Sequence, residues 1–191
     1  TDYELKGKWA QEVFGNDNPI VLELGCGKGE YTIAQARRNP DCNYIGVDIK
    51  GQRVWRGAKT INEEDIRNVA FLRTRIEFIE RFFAPGEVSE IWLTFSDPQP
   101  KDEKGTKRIT SSVFIEQRYR NILKPDSIIH VKSDSALLYE LSKESYVEAG
   151  YQINYDSADV YGELVHRVPE KLRDLLEVKT FYEQMWLEQG K

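Results

Sequence analysis

The chain has 191 residues, a formal net charge of −5 and two cysteines, Cys26 and Cys42. That length suits one compact domain with a real core, expected over residues 1–191, while two cysteines make neither a disulfide framework nor a metal cluster. No apolar run approaches the roughly 20 residues of a membrane span, and the N-terminal Thr1 to Lys6 carries no secretory leader pattern, so a cytoplasmic protein is expected. The apolar run Ile20 to Leu24 reads as a first strand that delivers the backbone into Gly25, Gly27 and Gly29. Glycine is needed where the chain turns at positive φ or where backbone must approach a ligand. Glu30 to Arg38 can form a helix and stops before Asn39-Pro40. A second strand, Tyr44 to Val47, ends at Asp48, nineteen residues after Gly29. Strand, glycine turn, helix, strand and acid make a nucleotide-binding unit, in which the distal acid accepts from ribose hydroxyls.

The glycine spacing selects between ligands. A dinucleotide fingerprint needs G-x-G-x-x-G, with pyrophosphate at the helix N-terminus. Here the third glycine comes one residue early, and Glu30 puts negative charge where the pyrophosphate would sit. Glu23, just before the first glycine, can instead accept from the amino group of an amino-acid-bearing nucleoside. E-x-G-x-G-x-G with a distal acid resembles the S-adenosylmethionine (SAM) site of Rossmann-like methyltransferases. Glu23, Gly25, Gly27, Gly29 and Asp48 are its expected cofactor residues.

Further along, Gln52 to Ile61 predicts a helix and Val69 to Leu72 a third strand. Ile76 to Phe83 has helical apolar spacing and ends at Pro85-Gly86. Ile91 to Phe95 is a fourth strand. Val113 to Leu123 is a helix with Ser111 or Ser112 as cap. Ile128 to Val131 is a fifth strand, Ala136 to Ala149 a helix ending at Gly150, and Tyr151 to Tyr155 a sixth strand. Val178 to Trp186 fits either strand or helix, and a seventh, antiparallel strand suits the methyltransferase pattern. The expected fold is therefore α/β: a doubly wound, mostly parallel, seven-stranded sheet with an antiparallel last strand.

Ligands in such sheets bind beyond the carboxyl ends of the strands. Glu23, Asp48, Arg75, Asp97, Asp134 and Thr180 fall there. His130 lies inside a strand and reads as a satisfied structural residue. The tryptophans Trp9, Trp55, Trp92 and Trp186 read as core or rim packing rather than base-stacking platforms. The acids concentrate in Glu63-Glu64-Asp65, Glu77, Glu80, Glu87, Glu90 and the C-terminal third; the bases gather at Lys101, Lys104, Lys107, Arg108, Arg118, Arg120 and Lys124. An acidic chain that binds a polyanion needs segregation of this kind.

The fourth strand exits into Phe95-Ser96-Asp97-Pro98-Gln99-Pro100-Lys101, followed by Lys107-Arg108-Ile109-Thr110. With Lys132-Ser133-Asp134 and Thr180-Phe181-Tyr182-Glu183, these stretches resemble the tRNA (guanine-N(7))-methyltransferase family, over about residues 20 to 188. Gln99 stands where the family has Trp, Lys104 where it has His, and Arg75 where it has an acid facing the adenine. The resemblance implies methyl transfer from SAM to N(7) of a guanine in the variable loop of tRNA, by a monomer or homodimer. It assigns Asp97 to catalysis or to the SAM amino group, Arg75 to the cofactor side, and Lys101, Asp134, Thr180 and Glu183 to the substrate. A methyltransferase acting on a small molecule or protein, and a non-catalytic RNA-binding relative, are the alternatives.

Overall fold

The structure is a computed structural model that describes residues 1–96 and 108–188. Five parallel strands form its sheet: β1 (Ile20–Leu24), β2 (Asn43–Asp48), β3 (Val69–Arg73), β4 (Val88–Thr94) and β5 (Leu123–Lys132), in the order β3-β2-β1-β4-β5. Every residue of β1 and β2 is buried. That is the signature of central parallel strands covered on both faces.

Side chains alternate between two cores, as the two-residue strand period requires. Ile20, Leu22, Leu24, Ile45, Val47, Ile91 and Leu93 face one core. Val21, Tyr44 and Trp92 face the other, with Tyr31, Leu175 and Leu176. Helix α1 (Glu30–Arg38) follows β1, and α2 (Gly51–Glu63) follows β2. Ile76–Arg81 forms a 3₁₀ helix rather than an α-helix. A helical run over 112–122, called α3, contains a π-type turn at Ile115–Tyr119 and is capped by Ser111, whose side chain accepts from the Phe114 N–H. Helices α4 (Ala136–Glu148), α5 (Glu170–Leu176) and α6 (Phe181–Glu188) complete the chain, with Ser135 capping α4.

Two expected strands are absent among the described residues. Residues 151–155 join no ladder, and Ile153 and Tyr155 are 36% and 45% exposed. Their alternating apolar pattern finds no partner strand, and only Tyr151 reaches the core, edge-on to Tyr146 at 5.7 Å. The C-terminal segment becomes α6 because Thr180 and Glu183 cap it reciprocally. The Glu183 N–H donates to Thr180 Oγ1 at 3.3 Å, and the Thr180 N–H to Glu183 Oε2 at 3.3 Å. This capping box starts a helix and satisfies two otherwise orphaned donors. Among the described residues the sheet has five parallel strands and no antiparallel last strand.

From β1 the chain winds outward one way through β2 and β3, and from β4 the other way to β5. The reversal opens a crevice at the carboxyl ends of β1 and β4, where such sheets bind ligands.

Candidate active site

At the carboxyl end of β1 the backbone turns through Gly25 and Gly27 at φ 77° and 59°. Nothing lies within 4 Å of where a Cβ would stand on either, so the turn leaves an open cradle. Asp48 holds this turn to β2: Oδ2 accepts the Gly27 N–H at 2.9 Å and Oδ1 the Lys50 N–H at 2.8 Å. The Gly25 and Cys26 N–H groups both donate to the Val47 carbonyl. Gly29 plays a different part. Its φ of 78° starts α1, and a Cβ there would stand 2.3 Å from the Phe71 ring. The third glycine therefore makes room for packing between α1 and the sheet.

Glu23 is 2% exposed. It accepts from the hydroxyls of Thr32 on α1 and Thr94 at the end of β4, the latter at 2.5 Å. Burial pushes its carboxyl up to about 7, against the lowering effect of the two hydroxyls. Thr32 and Thr94 were not foreseen as site residues; their only sequence signal is a hydroxyl within an otherwise apolar face.

The neighbouring strand continues the same edge. The Phe95 N–H donates to the Lys132 carbonyl at 2.8 Å, which fixes the exit of β4 against the end of β5. The Lys132 ammonium is buried against the C-terminal segment. It lies 2.9 Å from Glu183 Oε1 and donates to Tyr161 Oη at 2.9 Å and to the Leu176 and Val178 carbonyls at 3.0 Å. Tyr161 in turn donates to Glu183 Oε1 at 2.5 Å. Burial pushes the Lys132 ammonium down, and Glu183 pushes it back up. Rings of Tyr31, Phe95 and Tyr161 lie 5.3, 5.8 and 5.1 Å from Nζ.

The structure thus brings Glu23, Gly25, Gly27, Asp48, Thr180 and Glu183 to one edge of the sheet. Asp134 is exposed, two residues past Lys132. Arg75 follows β3, exposed and paired with Glu77 at 3.0 Å. Asp97 and Lys101 lie outside the described residues, as do Gln99, Lys104 and Lys107. His130 is the satisfied structural residue expected: Nε2 lies 2.8 Å from Glu90, and its ring stacks on Trp92 at 4.0 Å. Trp9 and Trp92 are core residues, but Trp55 is 62% exposed. Gly57, buried against Phe71, turns position 55 away from the sheet, so Trp55 lies outside the core. No helix among the described residues is long and apolar enough to cross a membrane.

These groups fit SAM. The cradle leaves open space beside the backbone, and Asp48 and Glu23 are carboxyl groups at the ends of the two strands that flank it.

Residues 17–191 match the model of a family described as "Putative methyltransferase". The chain is 54% identical over 188 residues to the tRNA (guanine-N(7)-)-methyltransferase of Bacteroides thetaiotaomicron, covering 98% of this chain and 71% of that protein. It is 51% identical to the enzyme of that name from Christiangramia forsetii, covering 99% and 82%. The one from Bacillus subtilis is 37% identical, covering 83% and 73%. Two solved structures share the fold. A SAM-dependent methyltransferase from Aquifex aeolicus has a TM-score of 0.55 at 15% identity, covering 80% of this chain and 87% of that one. The antibiotic-resistance methyltransferase Kmr has a TM-score of 0.54 at 18% identity, covering 78% and 85%. Relatives this similar over nearly the whole chain settle the matter: the chain belongs to the tRNA (guanine-N(7)-)-methyltransferase family.

Proposed function

We propose that this protein methylates N(7) of a guanine in the variable loop of tRNA, with SAM as the methyl donor, and does so as one domain in the cytoplasm. The observation that carries the reading is the run of recognition groups along the carboxyl edge of β1, β4 and β5. Glu23 joins Thr94 and Phe95 joins Lys132 by hydrogen bonds, and Lys132 joins Glu183 by an ion pair. One end of that run suits a cationic nucleoside and the other a polar base edge.

Bound SAM supplies an electrophilic methyl carbon on a sulfonium. Guanine N(7) carries a lone pair, so no proton has to leave first and no strong general base is needed. The protein's work is alignment and stabilisation of the positive charge that grows on the purine. We assign the second task to Asp97, between cofactor and base. Asp48 takes the ribose hydroxyls, and Arg75 borders the adenine side.

Asp134 and Glu183 accept from the guanine N–H and NH₂. Glu183 already pairs with Lys132 and accepts from Tyr161 and the Thr180 N–H, but a carboxylate offers about four lone-pair sites. Lys132 and Tyr161 therefore orient Glu183 without exhausting it. The Thr180 hydroxyl accepts the Glu183 N–H and can still donate its own hydrogen to the base or a phosphate. Lys101 is assigned to phosphate or base contact.

The test is incubation of the protein with SAM and total tRNA, nuclease digestion, and mass spectrometry of the nucleosides. The expected product is 7-methylguanosine, mapped to the variable loop. Its absence in the presence of bound cofactor overturns the reading.

A further inference from the structure

The exposed face of α2 is a feature that the methyl-transfer site does not use. Helix α2 and its N-cap carry Lys50, Arg53, Arg56 and Lys59 against a single acid, Glu63, which pairs with Lys59 at 3.5 Å, in a chain whose net charge is −5. Elsewhere the surface arginines are largely neutralised: Arg37 pairs with Glu64, Arg67 with Asp65, Arg75 with Glu77, Arg118 with Glu80, Arg120 with Glu116 and Arg167 with Glu163. Lys50, Arg53 and Arg56 form no ion pair with any described residue. Arg73, on the edge strand β3, lies beside Gly51 and donates to the Ile49 carbonyl at 3.3 Å. It adds a fifth cation at the same end of the helix.

Trp55 stands among these charges, 62% exposed, with the Lys59 ammonium 5.6 Å from its ring centre. The helix register explains the arrangement. Gly57 packs against Phe71, and at about 100° per residue Trp55 and Lys59 both point to the opposite side. On the same count Arg56 lies about 100° and Arg53 about 160° around the helix from Trp55, so Lys59 is the cation beside the indole and the arginines flank it on one side. A polyanion with flat apolar faces suits an exposed indole on a helix that carries these cations.

The patch is also well placed. Lys50 comes two residues after Asp48, so the cationic end of α2 borders the cofactor edge. A macromolecule reaching into the crevice overhangs this rim.

We infer that the face built from Lys50, Arg53, Trp55, Arg56, Lys59 and Arg73 is a docking surface for tRNA, its cations on phosphates and its indole stacked on an unpaired base. This rests on the reading of tRNA as substrate. Neutralising a phosphate contributes about −0.9 to the slope of log affinity against log salt on duplex, and about −0.7 on single strands. Stacking of one base on an aromatic ring is worth roughly 5- to 150-fold in affinity.

The experiment measures tRNA binding across a salt series for the wild type, the double variant Arg53→Ala/Arg56→Ala, Trp55→Ala and Trp55→Phe. The double variant is expected to flatten the salt slope by about 1.4–1.8. Trp55→Ala should weaken binding about tenfold with little change in slope, and Trp55→Phe should recover most of that loss. S-adenosylhomocysteine affinity should be unchanged in all three, which shows that each variant is folded. An unmoved slope and a neutral Trp55→Ala, with 7-methylguanosine still formed by the wild type, overturn the docking surface alone. A wild type that forms no 7-methylguanosine and binds no tRNA overturns the function and the surface together.

Discussion

Lys132 Nζ lies 2.9 Å from Glu183 Oε1, and the two side chains are only 3% and 10% exposed. The pair joins the end of β5 to the start of α6, so it ties the sheet to the segment that carries the expected guanine contacts. Breaking a buried pair by removing one partner leaves the other charge uncompensated and costs about 3–5 kcal/mol. Lys132→Met should therefore lower unfolding stability by about 3 kcal/mol in urea titration, since the Leu176 and Val178 carbonyls lose their donor as well. It should also raise KM for tRNA more than the Kd for S-adenosylhomocysteine. Equal loss of both would mean that the pair holds the whole crevice rather than the base-reading end.

Glu23 sets a pH dependence. Its carboxyl moves from the usual range near 4.5 up to about 7 on folding, chiefly by burial. Between those values the folded state binds the extra proton, so stability falls as pH rises from about 4.5 to about 7 and levels off above. The loss corresponds to about 3 kcal/mol. Glu23→Gln should flatten the stability profile across that window. An ammonium placed on Glu23 needs the ionised form, so S-adenosylhomocysteine should bind the wild type more tightly as pH climbs through 7. Calorimetry on both proteins checks this: a wild-type affinity that does not change with pH removes Glu23 from the ligand's amino group.

Gly29 is held by shape. Alanine there must adopt a left-handed backbone, at about 1–2 kcal/mol, and push its Cβ into the Phe71 ring, at about 1–3 kcal/mol for overpacking. Gly29→Ala should cost about 2–5 kcal/mol in thermal or urea unfolding. Adding Phe71→Leu should return part of it, as a non-additive coupling between contacting residues. Strict additivity would show that the strain is in the backbone alone.

The bounds of β1 and α1 were legible because local chemistry marks them: an apolar run meets glycine at one end, and Asn39-Pro40 stops the helix at the other. The places of Asp48 and Glu23 at the ends of β2 and β1 were legible because apolar runs and glycine spacing mark them. What escaped the sequence was pairing. Tyr151, Ile153 and Tyr155 alternate like a strand, but a strand also needs a neighbour, and nothing local says whether one exists. Thr180-x-x-Glu183 is a local helix start, yet the expected sheet pattern drew attention to a strand there. Lys132 meets Glu183 across 51 positions of chain, a contact no spacing rule reveals. Which way Trp55 faces depends on Gly57, whose burial against Phe71 sets how the helix turns.

Asp97 carries the remaining prediction. If its charge acts on the purine as positive charge develops, removing that charge should slow the chemistry and leave cofactor affinity nearly intact. Loss of one preorganised charge-stabilising group costs on the order of 10² to 10³ in rate. Asp97→Asn keeps the side-chain shape and one accepting oxygen but not the charge. Single-turnover methylation of tRNA should fall by about a hundredfold or more, with S-adenosylhomocysteine binding within a few-fold of wild type. If Asp97 instead holds the amino group of the cofactor, affinity should fall in step with rate. Measuring rate and affinity on the same variant separates the two roles, and an Asp97→Asn enzyme that turns over normally eliminates both.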